Sequence, residues 1–171
     1  MIYFLENTNL LTWYEEQTKP CGIGHSCNCF HTFGSGIAKS IKDAYPQAYA
    51  ADLTTLRASK DKLGIFSCAT IQTVPHKIIY NIYGQFDFGR DKRYDFGRDK
   101  RYTSYDALFD GVSAMRSHAI ENDIELLGLP QNIGCYRGGA NWNIVEAILR
   151  EIFAADKALS LVICHYNPSP I

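Results

Sequence analysis

The sequence has no surplus of charge. Its 17 Lys and Arg stand against 18 Asp and Glu in 171 residues, a formal net charge of −1. That balance gives no global pull toward nucleic acid or an anionic membrane. No apolar run approaches the length needed to span a bilayer. Residues 1–6 lack the basic stretch and cleavage site of a signal peptide and read instead as a strand. Metal-ligand spacing is missing as well. His25, Cys27, Cys29 and His31 alternate with one residue between them, whereas structural zinc sites usually place two to four. No metal and no cofactor is therefore expected. The six cysteines are even in number, but the chain is neither small nor loop-rich. Cys68 and Cys164 lie in apolar runs, where a thiol behaves as a small hydrophobe. Reduced thiols in a cytoplasmic protein are the expectation.

What is present fits one domain spanning 1–171, long enough to bury a sizeable core. Apolar runs at 2–5, 22–26, 63–70, 77–83, 125–129 and 160–166 read as strands. Several are continuously apolar, as in strands covered on both faces. Helical spacing follows Ser35, with Ile37, Ile41 and Tyr45 four apart and Pro46 as a stop. A second helix covers 104–122, with Leu108, Val112, Met115 and Ala119 on one face. A third covers 141–155, capped by Asn141, with Ile144, Ile148 and Ile152 beside Val145 and Leu149 as a buried stripe. A short early helix fits 10–17. Strands alternating with helices argue for an α/β domain with a largely parallel sheet and helices on both faces.

One segment is duplicated. Residues 87–94 recur without change at 95–102. An eight-residue repeat is too short for a solenoid unit and reads as a local duplication in a surface loop. Its six basic and four acidic residues nearly balance, so it names no partner.

Two segments carry the chemistry. In the first, His25, Ser26, Cys27 and Asn28 end an apolar run, Gly34, Ser35 and Gly36 form a turn, and a helix begins. The first amides of that helix, with its dipole, suit an anion, and the glycines admit a phosphate close to the backbone. Asn28 can donate and accept toward sugar hydroxyls, or bond its own turn. His25 is either a hydrogen-bonded core residue or a base beside the ligand. The second segment repeats the plan with Gly134, Cys135, Tyr136, Arg137, Gly138 and Gly139 before the third helix. Two glycine loops at strand ends can clamp the two phosphates of one ligand, and Arg137 can supplement their donors.

Both segments, in this order, resemble those of the macrodomains, a family that binds and processes ADP-ribose. Asn81 to Gln85 is similar to the strand end before that family's variable loop, and the stretches at 105–108 and 114–118 to its next helix. The resemblance runs from about Ile2 to Tyr166. It implies a three-layer α/β/α sandwich with a mixed, largely parallel central sheet. It puts Asn28 on the distal ribose, Gly34, Ser35, Gly36 and Ile37 on the loop closing around it, and the stretch from Gly134 to Gly139 on the diphosphate. The motifs look most like two branches, the ADP-ribose-1″-phosphate phosphatases and the deacylase-type macrodomains. Lys42 matches the lysine of the second branch, but Gly138 stands where that branch has its Asp. Glu6, Asn7, Thr8 and Asn9 replace the usual Gly-Asp dipeptide, leaving Thr8 or Asn9 as the acceptor for adenine.

The leading expectation is a phosphatase that releases phosphate from ADP-ribose-1″-phosphate. Asn28 would orient the ribose, and His25 would serve as general acid or base. The alternatives are an ADP-ribose binding module without catalysis, a hydrolase removing ADP-ribose from modified macromolecules, and an unrelated nucleotide-binding α/β protein. ADP-ribose or its 1″-phosphate is the expected partner, with no membrane and no nucleic acid.

Overall fold

The computed structural model of the protein describes residues 1–89, 101–155 and 157–167. Most of the duplicated segment, from 90 to 100, lies outside these residues, and with it the expectation that the repeat is a surface loop.

The elements follow in the order β1 (Ile2–Leu5), α1 (Leu10–Glu16), β2 (Cys21–Ser26), α2 (Gly36–Ala44) and α3 (Pro46–Leu53). After a short 3₁₀ turn at Lys60–Lys62 come β3 (Phe66–Thr73), β4 (His76–Ile82), α4 (Tyr105–Glu121), β5 (Leu126–Pro130), α5 (Trp142–Phe153) and β6 (Ser160–Cys164). The six strands form one sheet in the order β1-β6-β5-β2-β4-β3. All neighbours are parallel except the β3–β4 hairpin. The expected mixed, largely parallel α/β architecture is therefore present.

Two apolar clusters cover the sheet faces. On one, Leu108, Val112 and Met115 of α4 and Val145, Leu149 and Phe153 of α5 pack on Tyr80, Ile82, Leu127 and Leu129. On the other, Leu10, Trp13 and Tyr14 of α1, Ile41 of α2 and Ala48 of α3 pack on Ile23, Ile79 and Val162. No helix among the described residues is long and apolar enough to cross a membrane. All six cysteines are free thiols.

Several elements differ from the sequence reading. Pro46 ends α2 as expected but also starts α3, because its fixed φ and missing N–H are tolerated at a first helical turn. In α5 the buried stripe is Val145, Leu149 and Phe153, while Ile144 is exposed. Both rows have spacing four, so periodicity alone does not choose between neighbouring rows. β3 starts later than expected because Lys60–Lys62 and the left-handed Gly64 (φ 87°) turn the chain first. β6 ends at Cys164, two residues before the expected Tyr166, although the His165 amide still donates to the Leu5 carbonyl of β1 at 2.9 Å.

Candidate functional site

Every parallel strand points its C-terminal end the same way, and ligands of open α/β sheets bind at that end. There a cavity of about 410 Å³ runs from the ends of β1 and β6, past β5, to the ends of β2 and β4. The two glycine loops face each other across it. Ser35, Gly36 and Ile37 line one side, and Gly134, Cys135, Tyr136, Arg137 and Gly138 line the other.

The first loop ends in α2. The leading amides of a helix have no intrahelical acceptor, and the Ser35 side chain caps none of them. Gly36 holds φ 60°, a left-handed conformation that costs glycine little. The N-terminal turn of α2, positive end of its dipole included, thus lies at the cavity wall.

The second loop is pinned from behind. Thr103 Oγ1 donates to the Gly134 carbonyl at 2.7 Å, and the Tyr102 and Thr103 amides both donate to the Gly138 carbonyl, at 2.8 and 3.0 Å. Gly138 is packed so closely against Thr103 Oγ1 and the Gly134 carbonyl that a Cβ there would overlap both. No carboxylate side chain fits at this position. Among the described residues lining the cavity none is Asp or Glu, and Arg137 brings positive charge. Burial pushes the Cys135 thiol up to about 11 and that of Cys164 up to about 12. Both stay protonated near neutrality and are poor nucleophiles.

Other expected residues stand elsewhere. His25 is completely buried and is not on the cavity wall. Asn81 Nδ2 donates to the Ala48 carbonyl, which leaves its Oδ1 to accept from His25 Nε2 at 2.8 Å. The other ring nitrogen lies 3.6 Å from the Cys27 thiol, and Phe33 packs edge-on against the imidazole. Burial lowers the His25 pKa to about 4. Of its two readings, this is the hydrogen-bonded core residue.

Asn28 is half-buried and serves its own loop. Its Oδ1 accepts from the Phe30 amide at 2.9 Å, and its Nδ2 donates to the Thr32 carbonyl at 3.1 Å. Neither Asn28 nor Gly34 nor Gly139 is on the cavity wall itself, although each adjoins a residue or loop that is. Thr8 is also off the wall, its hydroxyl donating to the Glu6 carbonyl at 2.9 Å. Asn9 is on it, with Oδ1 capping α1 through the Leu11 and Thr12 amides. Lys42 lies over the Tyr49 ring, 4.2 Å from its centroid, and does not line the cavity. Cys29 and His31 do not join the contact between His25 and Cys27. Cys29 Sγ donates to the Gln85 carbonyl and His31 Nε2 pairs with Thr55 Oγ1.

Among the lining residues not picked out from sequence are Ser26, Gln85, His165 and Tyr166. Each sits at or just beyond a parallel strand's C-terminal end, and that position was the signal available. His165 Nδ1 donates to Glu6 Oε2 at 2.7 Å and ties the end of β6 to the end of β1.

No protein-family model matches the chain. Over 148 residues it is 31% identical to an uncharacterized 17.5 kDa protein from the tk-vs intergenic region of Enterobacteria phage T4, covering 85% of this chain and 86% of that protein. Among solved structures it is similar to the macrodomain of Thermus aquaticus DarG, with a TM-score of 0.71 and 18% identity over 98% of this chain and 99% of that one. It is also similar to Thermosipho africanus DarTG in complex with ADP-ribose, with a TM-score of 0.65 and 16% identity over 88% of this chain and 39% of that one. At these identities the likeness to the solved structures is one of fold.

Proposed function

Because this chain belongs to one family with the 17.5 kDa protein of phage T4 and has the macrodomain fold, we propose that its cavity binds ADP-ribose. One observation carries the reading. Two glycine loops, one of them the open N-terminal turn of a helix, line a single cavity that contains an arginine and no carboxylate among its described residues. That arrangement suits a diphosphate held between backbone donors. The adenylate half would lie toward Asn9, His165 and Tyr166, and the distal ribose toward Ser35 and the loop that Asn28 braces. Of Thr8 and Asn9 only Asn9 is on that wall, and with its Oδ1 taken by the α1 amides its Nδ2 is the group it offers adenine. The DarTG structure, named for its ADP-ribose complex, has the same fold and supports this ligand.

Release of phosphate from ADP-ribose-1″-phosphate is the second reading. It is favoured by the Ser35 hydroxyl, which makes no capping bond and lies at the cavity wall beside the first turn of α2. Positive potential there would stabilise charge on a departing phosphoryl group. The chemistry would proceed without His25, whose imidazole is fully buried and off the cavity wall. The loops would contribute positioning and electrostatics rather than a covalent step.

Calorimetric titration with ADP-ribose, AMP and NAD tests binding. Saturable heat with ADP-ribose and a clear preference over AMP and NAD are expected. No heat, or no preference, overturns the proposal. A metal-free assay of phosphate from ADP-ribose-1″-phosphate, with Asn28→Ala as control, tests the second reading. Binding without phosphate release overturns the phosphatase reading and leaves a binding module or a hydrolase that removes ADP-ribose from modified macromolecules.

A further inference from the structure

We propose that Tyr49 is a positioning residue for the ligand, an inference that rests on the ADP-ribose reading. Its hydroxyl holds His31 in a left-handed conformation and thereby sets where the first glycine loop stands at the cavity. Among the described residues, five other than glycine have a left-handed φ: Asn7, His31, Ala58, Asp123 and Asn132. Asn and Asp tolerate that region through their short polar side chains. His31 and Ala58, both at φ 59°, are the two that are neither. They belong to one junction. The Ala58 amide donates to the Cys29 carbonyl at 2.7 Å, so the chain after α3 is bonded to the loop that contains His31. Strained backbone persists only where surrounding contacts hold it, and it gathers at functional sites.

Tyr49 supplies the contact at His31. It lies on α3, and its hydroxyl donates to the His31 carbonyl at 3.0 Å. Its ring packs on Phe33, two residues further along the same loop, at 5.0 Å between centroids. Lys42 of α2 lies over that ring. One side chain from α3 thus touches the loop twice and the following helix once. Thr55 adds a second tie. Its hydroxyl donates to the Asp52 carbonyl at 2.6 Å, and its oxygen accepts from His31 Nε2 at 3.2 Å.

The cavity side of the loop has no such packing. Among the described residues, a Cβ at Gly34 would meet only Thr32 Cγ2, at 3.9 Å, and one at Gly36 would meet nothing within 4 Å. Ser35 and Gly36 nonetheless line the cavity, a short step along the chain from His31. A segment open on its ligand side takes its position from the contacts behind it. Asn28 ties the loop to itself, whereas Tyr49 ties it to α3, a separate element whose Ala48 is packed in the core.

The test is a double-mutant cycle read by calorimetric titration with ADP-ribose. Tyr49→Phe removes the hydroxyl and keeps the ring against Phe33 and Lys42. It is measured in the wild type and again with His31→Gly in place, because glycine holds a left-handed φ at little cost. Melting temperatures of the unliganded proteins are measured alongside. In the wild type, Tyr49→Phe is expected to weaken ADP-ribose binding about fivefold, the size of one net hydrogen bond, and with His31→Gly in place by less than about twofold. The unliganded Tyr49→Phe protein should melt within about 4 °C of the wild type, the effect of one hydrogen bond in a domain of this size. Unchanged ADP-ribose affinity in Tyr49→Phe overturns the inference and spares the binding site, and a lower melting temperature beside it makes Tyr49 structural. Equal weakening with and without His31→Gly overturns the action through His31. Wild-type protein that gives no heat with ADP-ribose overturns the ligand itself, and this inference with it.

Discussion

His25 shows how burial decides the role of a residue type. An imidazole ordinarily titrates near neutrality and suits acid–base work. Here complete burial disfavours the charged ring and lowers its pKa to about 4 from 6.5, although the bond to Asn81 opposes the shift. The sign of the linkage follows. Above pH 6.5 the ring is neutral in both the folded and unfolded chain and stability is unaffected. As pH falls from about 6.5 toward about 4, the unfolded chain takes up a proton that the folded one refuses, and stability is lost. By pH 5 the loss is of order 2 kcal/mol. Thermal unfolding at pH 7.5 and pH 5 should therefore show a smaller acid-induced drop for His25→Gln than for the wild type. Equal drops in the two proteins would remove His25 as the cause. The sequence located His25 and Asn28 beside the site, because both flank a strand end and a glycine loop. Which way each side chain faces was not legible. It depends on Asn81, Phe33 and the Thr32 carbonyl, two of them contacts made within or next to the loop and one from β4.

At the scale of elements, the site depends on two loops that are held differently. The first is braced by the Asn28 side chain and continues into α2. The second is held from outside by Tyr102 and Thr103, and Gly138 is the point of closest approach. Gly138→Ala would drive a methyl group into Thr103 Oγ1 and the Gly134 carbonyl, and backbone offers little room to yield. The expected cost is about 2 kcal/mol of stability, typical of overpacking. ADP-ribose binding should weaken by at least tenfold, because the loop must move off Thr103. Urea unfolding and calorimetric titration measure the two effects, and a variant with wild-type values in both would mean that the loop adapts freely. The glycines, the positions of the strands to within a few residues and the capping Asn141 were legible, since each is a local signal. The clamp from Thr103 was not, because 31 residues separate it from Gly134. Nor was α3, since a proline read as a stop is equally suited to start a helix.

At the scale of the whole molecule, the parallel sheet makes one rim of strand ends, and everything proposed for the ligand follows from that. Gln85 and Thr103 pair as an antiparallel bridge, so the two ends of the segment carrying the duplication are adjacent. Because the two copies are identical, removing 87–94 or 95–102 gives one and the same sequence. Roughly halving a connection changes its closure cost by only about 0.6 kcal/mol. For a domain of this size that amounts to about 2 °C in melting temperature. The single-copy variant should therefore melt within about 2 °C of the wild type and bind ADP-ribose with the same affinity, since Gln85 and Thr103 stay in place. A larger fall in melting temperature would show that the second copy contributes contacts of its own. Lost binding at unchanged stability would instead make the repeat part of the ligand site, because the bridge sets the position of both Gln85 on the cavity wall and Thr103 behind the second loop.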